Sequence, residues 1–316
     1  MNKVAVLGEA LMDSIADSDG AFRPHLGGSP YNVAIALGRQ TVDVSYLSTL
    51  SEDAFGDLLM ESLLVEGVKT PVERRSLWPT SLALVTINQQ GQPSYRLYRE
   101  GIADKDVTAL EVIEHTPKDI KVFHTGSLAI TPSQLPKIRE IFEHMRRHNV
   151  RITVDINIRL RASIDAQAYL AGVRSLLPLA DIVKASDEDL VALEIDPSLE
   201  KTAKIVFEEM GSGLLVLTKG SGGATLIGQQ GIIDRPGYSV ANVADTVGAG
   251  DTFHAAFVSF LCRAGVIGLT PELIDKMLLE QALDYACAAA AINVTRVGCS
   301  PPTHSEVIDM MKGTNG

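Results

Sequence analysis

The chain has 316 residues, of which 46% are hydrophobic, 21% charged and 5% aromatic, a composition that excludes a disordered or fibrous protein. Its 39 acidic residues outnumber 28 basic ones, and the formal charge of −11 argues against a general nucleic-acid or anionic-membrane binder, since neither polyanion is attracted over long range. Cys262, Cys287 and Cys299 are odd in number, with neither a CxxC nor a zinc-like His/Cys spacing, and read as buried, reduced thiols of a cytoplasmic protein.

The N-terminal "MNKVAVLGEALMD" is a poor signal peptide and reads as a first strand, and no run reaches the ~18–20 apolar residues of a membrane span. "GGSPYNVAIALGRQ" follows as a glycine turn opening a helix, then "DVSYLSTL" as a strand, which is βαβ grammar. Between residues 81 and 100 the pattern changes: "SLALVTIN", a turn at "QQGQP" and "SYRLYRE" form a hairpin, a small β excursion suited to a flap. After it, "VFHTGSLAI", "RITVDINIR", "ADIVKAS" and "GLLVLTKG" are short strands separated by helical segments such as 133–148 and 165–178, an alternation that predicts a parallel sheet with helices on both faces. "GATLIGQQGIID" is a second hairpin, and 249–265 and 272–292 are predicted helices. The absence of repeats and low-complexity linkers favours one main domain with the flap inserted.

The chemistry-bearing stretch is "ADTVGAGDTFHAAFVSFL", residues 244–261. Gly248, Ala249 and Gly250 have little or no side chain, so their N–H groups can approach a ligand closely, and the helix that starts there adds a positive dipole end. A carboxylate on that loop, Asp251, would repel phosphate unless aimed at a hydroxyl whose proton must leave, which is the arrangement of phosphoryl transfer to an alcohol. An acid favoured by the helix dipole accounts equally well for Asp251 taken alone, and "GAGD" lacks the third glycine of a dinucleotide fingerprint.

The string "DTVGAGDTF" resembles the DTxGAGD signature of the ribokinase-like (PfkB) family of carbohydrate kinases. "GGSPYNVAIALG" is similar to that family's N-terminal signature, and the closing "AAAAINVTRVGCSPP" to its AxxVTRxGA segment, so the resemblance spans nearly the whole chain. It implies one domain over 1–316, a three-layer α/β/α sandwich with a mostly parallel central sheet, and a β-sheet lid drawn mainly from about 10–26 and 78–106.

By the same resemblance Asp251 is the catalytic base, and the backbone of Gly248, Ala249 and Gly250 is the anion hole. Asp13, which closes a "GEALMD" similar to the GEALID of fructokinase members, is implied to meet sugar hydroxyls together with Gly28, Asn32, Tyr98, Arg99, Asp104 and Arg159. Lys184, the "TKGSGG" loop with Thr218, Lys219, Gly220 and Gly223, and Cys287 are implied to face the nucleotide, although a plain hairpin turn and a core cysteine explain the loop and Cys287 locally. ATP brings Mg2+ on its phosphates, and a potassium ion is implied at the carbonyls of Asp245, Val247, Asn293, Arg296 and Gly298. Ser186 and Asp189 of "SDED" stand where relatives carry a metal-organising element, but a helix N-cap explains Ser186 fully.

Fructose is the leading acceptor, since "GEALMD", "PTSLALVTIN", "LYREGIAD" and "VKASDEDL" are each similar to fructokinase segments. The rival is 2-keto-3-deoxygluconate, whose carboxylate Arg99 and Arg159 are suited to bind; ribose and aminoimidazole riboside are further alternatives, and a catalytically silent sugar sensor is the reading from another class. No nucleic-acid or membrane partner is expected, and pairing of two copies through the lid is compatible with the resemblance.

Overall fold

The structure is a computed structural model that describes residues 3–16, 21–87 and 93–313. In chain order its elements are β1 (Lys3–Val6), β2 (Leu11–Ala16), β3 (Phe22–Gly27), α1 (Ser29–Arg39), β4 (Asp43–Tyr46), α2 (Ala54–Val65), β5 (Ser81–Ile87) and β6 (Pro93–Tyr98). They continue as α3 (Ala109–His115), β7 (Ile120–Gly126), α4 (Leu135–Arg147), β8 (Arg151–Asp155), α5 (Ala166–Leu176), β9 (Ile182–Ser186), α6 (Asp187–Ala192) and α7 (Leu199–Met210). The last are β10 (Leu214–Thr218), β11 (Ala224–Gly228), β12 (Gly231–Arg235), α8 (Ala249–Arg263), α9 (Lys276–Asn293) and α10 (His304–Gly313).

Eight strands form the main sheet in the order β12-β11-β10-β9-β8-β7-β1-β4, parallel from β10 to β4 with the antiparallel β11–β12 hairpin at one edge. The two-residue side-chain period of a strand explains how helices cover both faces. Val4 and Val6 of β1 enter one core with Val44, Ile182, Leu214 and Val216, against α1, α8 and α9, whereas Ala5 and Leu7 enter the other with Phe123, Ile152, Val183 and Leu215, against α4, α5 and α7. This is the three-layer α/β/α sandwich expected of the chain.

A second sheet has the order β3-β2-β5-β6. Its register sets Asp13 opposite His25 on one neighbour and Ala83 on the other, with Leu97 opposite Ala83. Leu11 and Ala83 on that face pack on Leu128, with Leu97 and Ala162 beside them, so it looks toward the loops that follow β7 and β8. Asp13 is thereby aimed at the carboxyl ends of the main strands, where open α/β sheets bind their ligands.

Some elements stop short of the sequence pattern. The strand expected through "DVSYLSTL" ends at Tyr46, and that expected through "VFHTGSLAI" ends at Gly126, where Ser127 turns to a φ of 52° and a 3-10 turn takes over. The helix expected over 272–292 starts at Lys276, after a separate turn at Pro271–Leu273 and an Asp275 side chain that caps it.

Candidate active site

The site is built where α8 begins, above the ends of β8 and β9. Gly248 adopts a left-handed φ of 72°, and a Cβ there would lie 2.3 Å from Cys299 Sγ, so only glycine allows the loop to pack as it does. A Cβ on Gly250 would stand 2.9 Å from Lys184 Nζ, which places that ammonium against the loop. Two side chains fasten the loop. Asp245 accepts from the N–H groups of Val247 (3.0 Å) and Gly298 (2.9 Å), while Asn293 donates to the Val247 carbonyl (2.9 Å) and accepts from Ser300 N–H (2.9 Å) and the Thr252 hydroxyl (3.2 Å).

Asp251 lies in the first turn of α8 and is only 7% exposed. Its Oδ1 accepts from the Ser29 hydroxyl at 2.7 Å and its Oδ2 from the Asn32 amide at 2.8 Å, both from the first turn of α1. Neutral donors therefore hold each oxygen and leave lone pairs for a further donor. Asn157, just beyond β8, donates in turn to Ser29 Oγ at 3.0 Å.

Lys184 Nζ sits beneath the loop, paired with Asp155 Oδ2 at 2.9 Å, and both side chains are essentially buried. Burial alone would depress the ammonium, but Asp155, Asp189 and Asp251 around it raise it, so it stays charged. One turn into α8, His254 meets Thr153 Oγ1 (3.3 Å), which also contacts His124 Nδ1 (2.9 Å). Burial drives both imidazoles down, His124 to about 3, so neither is an acid or base near neutral pH.

Across the cleft, burial lifts the Asp13 carboxyl to about 6, Arg159 and His25 pull it back, and Asp251 adds to the rise. His25 lies opposite Asp13 in the neighbouring strand β3. Gly28, with a φ of 111°, is packed where a Cβ would meet the Glu9 carbonyl at 2.4 Å, so its backbone must approach β1's outgoing loop closely.

Several expected contacts fall elsewhere. Tyr98 is one residue beyond Leu97, hence on the opposite face of the second sheet from Asp13, and is 55% exposed. Arg99 and Asp104 are consumed by each other: two guanidinium bonds of 2.9 Å reach the two carboxylate oxygens, a further one of 2.9 Å reaches Ser81, and both side chains are buried. The pair is thus fixed first to itself, with Arg99 Nε–H and one Nη2–H outside these three bonds. Cys287 is 5% exposed within the core, where burial pushes its thiol up to about 12. In the glycine loop after β10, Lys219 pairs with Asp234 at 3.2 Å, Thr218 reaches the Ala185 carbonyl at 3.4 Å, and Gly220 and Gly223 take left-handed φ values of 52° and 88°. Arg296 is tied to Glu306 and to the carbonyls of Ser300 and Pro301. Ser186 and Asp189 form a capping box on α6, and Asp189 also receives Ile158 N–H at 2.6 Å, a structural role for the pair.

Ser29, Asn157, Asp155 and Glu9 were not singled out from the sequence. Ser29 sits inside "GGSPYN" and Asn157 inside "DINIR", but a serine in a glycine turn and an asparagine ending a strand carry no chemical signal without their partners.

Similarity to known proteins agrees with this geometry. The profile described as pfkB family carbohydrate kinase matches residues 1–306. The chain belongs to the pfkB family of carbohydrate kinases. A probable fructokinase-5 of Arabidopsis thaliana is 29% identical, over 98% of this chain and 97% of its own. The fructokinase of Xylella fastidiosa, solved with bound ATP, superposes with a TM-score of 0.84 at 28% identity over 99% of both chains. A Vibrio cholerae fructokinase, solved with fructose, ADP and calcium ion, has the same fold, with a TM-score of 0.85 at 23% identity over 98% of this chain and 99% of that one. Among the described residues no helix is long and apolar enough to cross a membrane, and no cluster of His, Cys, Asp or Glu is placed to hold a metal.

Proposed function

We propose that the protein transfers the γ-phosphoryl group of ATP to a hydroxyl of fructose, giving fructose 6-phosphate and ADP. The observation that carries the chemistry is Asp251: a buried carboxylate held by neutral donors, one residue beyond Gly248–Gly250 at the start of an α-helix. As the acceptor oxygen bonds to phosphorus, its proton passes to Asp251 and the bond to the bridging oxygen of ADP breaks. The loop N–H groups, the α8 dipole and the Lys184 ammonium beneath them bear the charge on the phosphoryl oxygens. Asp13 accepts from the sugar's hydroxyls, with Arg159 and His25 beside it. The loop from Lys219 to Gly223, exposed as far as Gly222, receives the nucleotide, and Mg2+ arrives on its phosphates.

Fructose is favoured over 2-keto-3-deoxygluconate because Arg99, one of the two arginines a sugar acid would use, already has its charge matched by the buried Asp104 carboxylate. The names of the relatives point the same way. A panel of fructose, 2-keto-3-deoxygluconate, ribose and aminoimidazole riboside with Mg-ATP, followed by ADP release, tests the choice. Fructose should have the highest kcat/KM; another acceptor ranking above it would overturn the substrate, and no ADP from any of them would favour the silent sugar sensor.

Potassium fits between the two loops that Asp245 and Asn293 fasten side by side: the Val247 and Asn293 carbonyls each accept one hydrogen bond and keep a second lone pair. A cation at the carbonyls of Asp245, Val247, Asn293, Arg296 and Gly298 would add positive charge beside the anion loop, and replacing K+ by a large organic cation should lower turnover. The second sheet serves as lid over the sugar, and its exposed Phe22 and Tyr98, with Trp78 just before β5, suit pairing of two copies. Three unbridged cysteines suit a reducing cytoplasm.

A further inference from the structure

We propose that Ser29 is a positioning residue for Asp251: its hydroxyl, oriented by Asn157, holds the base ionised and turned toward the acceptor. The inference rests on the reading of Asp251 as the base.

A serine hydroxyl has one proton and two lone pairs, so its direction depends on what it accepts. Here Asn157 Nδ2 donates into Ser29 Oγ at 3.0 Å, which commits the single proton to Asp251 Oδ1 at 2.7 Å. The relay is anchored at each end. Ser29 N–H is bound to Glu9 Oε1 at 3.2 Å, and no side chain caps α1 at Gly28, so the hydroxyl is not used to start the helix. Asn157 is held at a φ of 31°, and its neighbour's N–H is fixed by Asp189, which Ser186 grips in turn. Neither donor can drift away without breaking a buried contact.

The charges that face Asp251 show why neutral donors matter. The Asp251 carboxylate raises the carboxyls of Asp13 on β2 and Asp155 on β8, the ammonium of Lys184 on β9, which is paired with Asp155, and the Cys299 thiol. Ser29 and Asn32 are the donors that contact the carboxylate oxygens directly. A hydrogen bond to the charged form favours that form, and removing one favours the protonated acid, which cannot accept the acceptor's proton. The sign follows: without the Ser29 hydroxyl, activity is lost at higher pH than in the parent protein.

The test is the pH profile of kcat, at saturating Mg-ATP and saturating acceptor so that protonation of Asp13 is not read, for Ser29→Ala, Asn157→Ala and Asp251→Asn, each checked for an unchanged melting transition. In Ser29→Ala the acid limb should move up by about one pH unit, an approximately tenfold loss along that limb that closes on the alkaline plateau. Asn157→Ala should move it the same way by less. A Ser29→Ala profile that is unmoved, or lowered equally at every pH, would overturn the relay while the kinase reading stands, provided Asp251→Asn is inactive throughout. Activity retained in Asp251→Asn would instead remove the base assignment, and the relay with it.

Discussion

Asp251 and Asp104 are both buried carboxylates near the cleft, yet their surroundings are opposite. Asp104 meets a guanidinium through two 2.9 Å bonds, so a fixed cation matches its charge. Asp251 meets a hydroxyl and an amide, which fix its orientation and leave the charge in place. The difference separates a carboxylate locked in an ion pair from one that, on the proposed reading, takes a proton. Lys184 and Asp155 follow the fastening pattern, but with the ammonium against the glycine loop at Gly250.

The contrast can be broken at several points. The largest effect is expected from Gly248→Ala, because the added methyl meets Cys299 and the residue must hold a left-handed φ; loss of the loop's donor geometry should cost about 10²–10³-fold in kcat, measured by ADP release. Arg99→Met leaves the Asp104 carboxylate buried without its partner, and denaturant unfolding should record a loss of about 3–5 kcal/mol. Asp13→Asn should raise the acceptor's KM roughly tenfold to a hundredfold with the KM for ATP little changed. In the parent protein the same KM should rise as pH falls below about 6, because Asp13 then binds a proton and loses acceptor capacity. Cys287→Ala should do least: about 1 kcal/mol of stability from a small cavity, with nucleotide affinity intact, since its thiol faces the core.

Much of this molecule is legible from its sequence. Period-two strands alternating with helical stretches foretell the sandwich, and glycine-rich "DTVGAGD" foretells the loop from which helix α8 starts. What a linear reading does not reach is pairing. Arg99 and Asp104 read as two separate polar handles, but they lie five residues apart across a turn and neutralise one another. Tyr98 lost its expected role to strand alternation, since its face depends on a register fixed by β5 and β6. Ser29 and Asp251 are 222 residues apart, and only the fold makes that serine part of the site.

A direct comparison of Asp251→Asn with Asp104→Asn tests the central claim. With Mg-ATP and fructose, Asp251→Asn should lose turnover by orders of magnitude while its melting temperature stays at that of the parent, and Asp104→Asn should melt earlier yet keep turnover per folded molecule. Turnover near normal in Asp251→Asn, or a catalytic loss confined to Asp104→Asn, would contradict the account.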